Sequence, residues 1–291
     1  MILVLGQVGM ARGLEWVATW FTPIQWTGYI LLADGFVFLL TGDSWLTGHR
    51  REFPLVTVLS VGIWLLFEAY NLHLRNWYYV GLPSNPWGRT MGYFWSFATI
   101  LPGVFETADL VGALVGRRRL TAAWRTTQPS RIPWRIVPFG AAMVILPLAL
   151  PSSTAAYLFG LVWIGFALLL DPINACLGGP SLGEQWKRGN RLPLLGLLAG
   201  GLICGFLWET WNYQAFRAQG AYWVYTVPQP LRVFGWHFGQ MPVLGLLGFP
   251  PFALELFAFY YLLRRLLRGD RLFGASTPTA GSRPSHSPGS S

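Results

Sequence analysis

The chain has 291 residues, 53% of them hydrophobic and only 11% charged, with 16 Trp and a mean hydropathy of +0.41. That composition excludes an ordinary soluble domain and points to a polytopic membrane protein. The formal charge of +9 would suit a nucleic-acid partner, but the placement of the basic residues assigns it to membrane topology instead.

Residues 1–22 read as an N-terminal interfacial segment. Its first ten residues are apolar but lack a basic n-region and a small-x-small cleavage site, so no cleaved signal peptide is expected. Runs long enough to cross a hydrocarbon core of about 30 Å follow at 23–40, 54–72 and 92–115, and define a first membrane repeat over 23–116. A basic loop and a linking helix at 136–150, the shortest run, occupy 117–152. A second repeat, 153–268, has runs at 154–170, 193–212 and 242–263. From 269 to 291 Ser, Gly and Pro dominate, a composition that cannot bury a core, and a disordered C-terminal tail is expected. The expected fold is all-α, a polytopic membrane helix bundle of about seven transmembrane helices built from two parallel three-helix repeats plus the linking helix.

Seven crossings place Arg12, Arg75, Arg89, Arg217 and Arg232 on one side and the other 16 of the 21 basic residues on the opposite side. By the positive-inside rule the N-terminus is outside and the C-terminus cytoplasmic, as for a protein of a bacterial cytoplasmic membrane. The basic face then meets anionic membrane lipids, and nucleic acid is not an expected partner. Cys176 falls in a loop and Cys204 in a span, matching neither a disulfide pair nor a metal motif. No metal and no cofactor is expected.

The two halves carry the same acids in the same order. One reads Glu68-x-x-Asn71, Trp77-x-Tyr79, Pro102-x-x-x-Glu106; the other reads Glu209-x-x-Asn212, Trp223-x-Tyr225, Pro251-x-x-x-Glu255. Each is preceded by an Asp, Asp34 or Asp171, expected to close its span at the cytoplasmic end, where the helix dipole disfavours it unless it caps the following segment. The pattern reads as an internal duplication. Each Asn lies three residues after its Glu on one helix face, able to share a ligand with it, to bond it, or to act only as packing glue between helices. Pro102 and Pro251 are expected to kink their helices and free carbonyls toward a cavity. Asp109 has no counterpart and is ancillary.

No expected span contains Lys, Arg or His. A buried carboxylate without a cationic partner takes up a proton or holds a bound cation, and intramembrane acids are site candidates by default. With four His, all outside the spans, histidine-rich iron chemistry is disfavoured, and Glu-x-x-Asn replaces the Glu-x-x-His of di-iron bundles. No phosphate loop, dinucleotide fingerprint or nucleophile elbow is evident. Carboxylates, amides and aromatics remain, and aromatic faces can stabilise a cation.

An acid late in a membrane helix, a Trp-x-Tyr after it and a Pro before an acid in the next helix resemble the lycopene cyclase domain of the integral-membrane type, over about residues 24–115 and 154–264. The family pattern is Pro-x-Glu-Glu after an Asp-bearing helix, where this chain has Pro-x-x-x-Glu after Glu-bearing helices. The resemblance implies proton-initiated rearrangement of an isoprenoid without net redox change. Glu106 and Glu255 would be the acid and base, Glu68 with Asn71 and Glu209 with Asn212 would orient substrate or retain protons, and Trp77, Tyr79, Trp223 and Tyr225 would bind substrate and shield the cation. Two other readings stand beside it. One is a proton- or cation-coupled carrier whose halves rock around the midplane acids. The other is a non-catalytic membrane assembly module acting through a basic face at Arg117, Arg118 and Arg119.

Overall fold

In a hydrocarbon core only a helix or a closed barrel satisfies every backbone N–H and C=O, and the apolar runs of this chain are helices. The computed structural model describes residues 1–116, 118–121, 129 and 135–268. Arg117, Arg125, Arg131 and the 269–291 tail lie outside the described residues. Among the described residues six helical stretches are long and apolar enough to cross a membrane: Phe21–Thr41, Phe53–Leu74, Pro86–Gly116, Phe159–Cys176, Leu192–Arg217 and Val243–Leu267. The chain is a multi-pass, mostly helical bundle.

The first helix, α1 (Ile2–Ala11), is followed by the short α2 (Glu15–Thr19) and folds back on the first half of α3 (Phe21–Thr41). Ten residues at about 1.5 Å each cover roughly half the hydrocarbon depth. The contact is close, since a Cβ on Gly28 would lie 2.9 Å from the Leu3 backbone nitrogen. A single turn, α4 (Trp45–Gly48), leads to α5 (Phe53–Leu74), the strand β1 (Trp77–Val80), then α6 (Pro86–Ala98) and α7 (Ile100–Gly116). The break at Thr99 follows from Pro102, which has no N–H for the Ala98 carbonyl. Ser60 of α5 fills the gap, donating to the Phe97 carbonyl at 2.5 Å and accepting the Leu101 N–H at 2.9 Å. The Phe97 carbonyl, in the turn before Pro102, is thus bonded to a neighbouring helix.

The linking helix α8 (Ile136–Ala149) has 14 residues and contains Pro147. It is shorter than the six spans. It runs antiparallel to α10 (Phe159–Cys176), Gly140 meeting Leu169 and Val144 meeting Gly165. Between them, the Leu150 carbonyl accepts from His73 Nε2 at 2.9 Å, and Ser152, opening α9 (Ser152–Ala155), donates to the His73 carbonyl. The chain thus returns to the end of the bundle where α5 finishes. Then come α11 (Leu182–Lys187), α12 (Leu192–Arg217), β2 (Tyr222–Tyr225), a small hairpin of β3 (His237–Phe238) and β4 (Met241–Pro242), the turn α13 (Val243–Leu246) and α14 (Phe249–Arg268).

The centre of the bundle is α12, which packs on both α7 and α14. Small residues permit this in lipid, where close backbone packing replaces the hydrophobic drive. A Cβ on Gly200 would sit 2.9 Å from the Ala108 nitrogen, and one on Gly201 would sit 2.5 Å from the Phe249 carbonyl oxygen. Neither neighbour can rotate away. Gly200→Leu is expected to cost about 1–3 kcal/mol or more by overpacking, seen as a lower melting temperature in detergent. Ile203→Leu, at a position on the same helix that is 41% exposed, should leave it unchanged.

The two aspartates do not close their helices. α3 continues past Asp34 to Thr41, and α10 continues past Asp171 to Cys176. The following chain folds back instead, and each Asp binds the start of the next short helix. Ser44 Oγ and the Leu46 N–H donate to Asp34 at 2.9 and 3.0 Å. Ser181 Oγ and the Leu182 and Gly183 N–H groups donate to Asp171 at 2.8, 2.7 and 2.9 Å. Ser44 and Ser181 are themselves the N-caps of α4 and α11, so each carboxylate faces helix-start donors, a favourable arrangement.

Asp109 is not ancillary. Fully buried near the end of α7, it binds Arg119 Nε at 3.0 Å and accepts the N–H groups of Leu120 and Thr121 at 2.6 and 2.7 Å. Arg119 also reaches Asp43 at 3.0 Å and lies 5.1 Å from the Trp45 ring centre. The expectation that intramembrane acids lack basic partners therefore fails here, since a loop arginine turns inward. With its side chain 6% exposed, Arg119 is also unable to serve as part of a basic docking face.

Candidate functional site

The ribbon of β1 and β2 joins the two halves at the end of the bundle where α5 and α12 finish. Its register pairs Trp77 with Tyr225, Tyr78 with Val224, Tyr79 with Trp223 and Val80 with Tyr222. Side chains alternate along a strand, which places Trp77, Tyr79, Trp223 and Tyr225 on one face. Gly81 ends β1 at φ 70°, where a Cβ would lie 2.0 Å from the Gly220 carbonyl oxygen, so only glycine fits. Asn71 and Asn212 hold the strands in place. Asn71 donates to the Trp77 carbonyl at 2.9 Å and accepts the Asn76 and Trp77 N–H groups. Asn212 donates to the Trp223 carbonyl at 3.1 Å and accepts its N–H at 2.9 Å. Both amides are thus engaged with backbone, as positioning groups for the aromatic face.

Under that face lies a cleft of about 100 Å³. Seven Trp, four Tyr and three Phe residues line it, from α3, α5, α6, α10, α12, α14 and both strands, and Arg89 is the one charged residue in its wall. Trp77, Tyr79, Trp223 and Tyr225 all contribute. Trp64 and Trp208 link the walls, their ring centres 5.9 Å apart, with Trp77 5.8 Å from Trp64 and Trp223 6.0 Å from Trp208.

Two of the four glutamates stand behind this wall. Glu68 Oε1 accepts from Trp64 Nε1 at 2.9 Å, Trp77 Nε1 at 3.1 Å and the Tyr79 hydroxyl at 2.5 Å. Glu209 accepts the Gln240 N–H and, at 3.2 Å, Asn212 Nδ2, and is hydrogen-bonded to Tyr225. Trp223 Nε1 in turn donates to the Tyr225 oxygen at 2.6 Å. Desolvation in the wall, followed by the charge of Glu68, pushes the Tyr79 hydroxyl well above the usual phenol range; desolvation and Glu209 do the same to Tyr225. Both hydroxyls therefore keep their protons through neutral and mildly alkaline pH and remain donors. Each half so presents a Glu–Tyr pair whose phenol reaches the cleft.

The other two glutamates are elsewhere. Glu106 is fully buried in the seam of α7 and α3; among the described residues no N–H or O–H bonds either of its oxygens, and it faces the Asp34 carboxyl. Glu255 is fully buried in the seam of α14 and α10, where Oε1 accepts the Phe166 N–H at 3.0 Å. None of the four glutamates lines the cleft itself; Glu68 and Glu209 bond to aromatic residues of its wall, and Glu106 and Glu255 do not. The four glutamates thus divide into a cleft pair, Glu68 and Glu209, and a seam pair, Glu106 and Glu255.

Trp64, Trp208, Trp26 and Arg89 are cleft residues that the repeated motif does not include. Trp64 has a signal in the sequence, standing four residues before Glu68 on the same helix face. The other three come together only through tertiary packing. No family model, curated protein or solved structure matches this chain.

Proposed function

We propose that this membrane protein rearranges an apolar isoprenoid lipid by adding one proton and removing another, with no redox change. The observation that carries the proposal is the aromatic cleft into which two Glu-backed tyrosines, Tyr79 and Tyr225, project from one ribbon face. An alkene protonated there becomes a carbocation among aromatic faces, and aromatic quadrupoles stabilise a desolvated cation by about 2 kcal/mol or more. Glu68 with Tyr79 and Glu209 with Tyr225 take the acid and base roles. Glu106 and Glu255, which form no bond to the aromatic wall, hold helix seams in this reading.

The two-repeat organisation belongs to the same proposal. Matching Trp77-x-Tyr79 to Trp223-x-Tyr225 makes Val224 the counterpart of Tyr78, and these two pair with each other while Trp77 pairs with the counterpart of Tyr79. A two-fold axis generates that isologous pattern. The Asp34–Ser44 and Asp171–Ser181 caps repeat likewise. The ribbon end faces outward and the arginine-rich end the cytoplasm, following the charge bias.

Comparing lipids from an isoprenoid-producing host with and without the protein tests the proposal. A new isomer of unchanged mass is expected. A product lighter by two hydrogens would make the protein a redox enzyme, and an unchanged lipid profile would favour a carrier, to be followed by proton flux in liposomes.

A further inference from the structure

Three polar groups in the cleft wall lack a partner among the described residues. Thr22 Oγ1 and Trp26 Nε1 are buried with no hydrogen bond, in residues 8% and 2% exposed. Both residues line the cleft and lie four apart on α3, hence on one helix face, about 6 Å apart along the axis. Arg89, also in the wall, is exposed and engaged in no ion pair among the described residues. α6 runs beside the start of α3, Gly92 against the Trp20 ring and Trp95 Nε1 donating to Thr27 at 3.0 Å. Arg89 therefore lies nearer the ribbon end than Gly92, and the order from mouth to interior is Arg89, Thr22, Trp26.

Buried donors are nearly always paired, and an orphan marks a place where something else bonds. An indole N–H is a donor only, so what meets Trp26 must be an acceptor. We infer that the cleft takes an apolar chain ending in a negatively charged oxygen group: its oxygens accept from Thr22 and Trp26, and its charge faces Arg89. A pure hydrocarbon leaves both buried groups unpaired. A site built around such donors rejects the analogue that lacks the acceptor. The inference rests on the cleft being the substrate site, and it is independent of the acid-base step.

Binding of three tritiated, chain-matched probes to the full chain in nanodiscs tests it without turnover: farnesene, with no oxygen, farnesol and farnesoic acid. Farnesol is expected to bind at least tenfold more tightly than farnesene, and farnesoic acid more tightly again, with the second step weakened by salt. Thr22→Val with Trp26→Phe should bring farnesol to within about threefold of farnesene. Arg89→Gln should remove the extra preference for the acid and leave farnesol as it was. Melting temperatures of the variants report whether the bundle is intact, and the wild-type ranking stands without them. Farnesene binding as tightly as farnesol, a farnesol preference that survives in a folded double variant, or no binding of any probe would overturn the inference. A protein that shows the predicted ranking but makes no isomer would keep the inference and lose the acid-base reading.

Discussion

A Glu68→Gln, Glu209→Gln double variant is expected to form the isomer about 10²–10⁴-fold more slowly than the wild type, the range over which positioned acids and bases contribute, while remaining folded. Glutamine keeps the size of the side chain and an oxygen able to accept from Trp64, Trp77 and Tyr79, the three donors that surround Glu68. What it cannot do is gain and lose a proton. Tyr79→Phe with Tyr225→Phe breaks the connection differently, leaving both carboxyls and removing the hydroxyls that join them to the cleft, and a comparable loss is expected. Rates in isolated membranes, with a melting temperature for each variant, check both. A glutamine variant as active as the wild type would place the acid-base groups elsewhere.

The largest stability effect is expected at the opposite end of the bundle. Arg119→Met would leave Asp109, fully buried, without its cationic partner, facing the neutral donors of Leu120 and Thr121, and would also remove the bridge to Asp43 and the contact with Trp45. Removing one partner of a buried ion pair costs about 3–5 kcal/mol, because the remaining charge stays buried without compensation. Combining Arg119→Met with Asp109→Asn removes that charge and should recover most of the loss. Thermal melts in detergent distinguish the cases: the single variant should melt well below the double. If the two melt together, the pair contributes little, and Arg119 acts through packing alone.

The helices were legible because lipid imposes one rule on every backbone group, and the apolar runs at 23–40, 54–72 and 193–212 lie within helices that extend a few residues further. The repeated Trp-x-Tyr was legible as a pattern, but the strands that put both rings on one face were not, since the expected fold is all-α. That the two strands pair with each other was not either, because register depends on contacts between residues 146 positions apart, as at Tyr78 and Val224. The division of the glutamates was hidden for a similar reason. Depth along a helix can be counted from sequence, but rotation about its axis depends on the neighbour, and this sends Glu106 to Asp34 and Glu255 to the backbone of α10. Arg119 reads as part of a basic face because its loop position suggests solvent, whereas the chain after α7 turns inward to bring it to Asp109.

The proposed chemistry requires that the cleft pair of glutamates, and not the seam pair, exchange protons with a lipid. It is tested most directly by comparing isoprenoid profiles of cells expressing the wild type, the Glu68→Gln, Glu209→Gln variant, or the Glu106→Gln, Glu255→Gln variant at matched levels of folded protein. An isomer of unchanged mass is expected in the first and third and not in the second. The isomer persisting in the second variant, or disappearing only in the third, would contradict it.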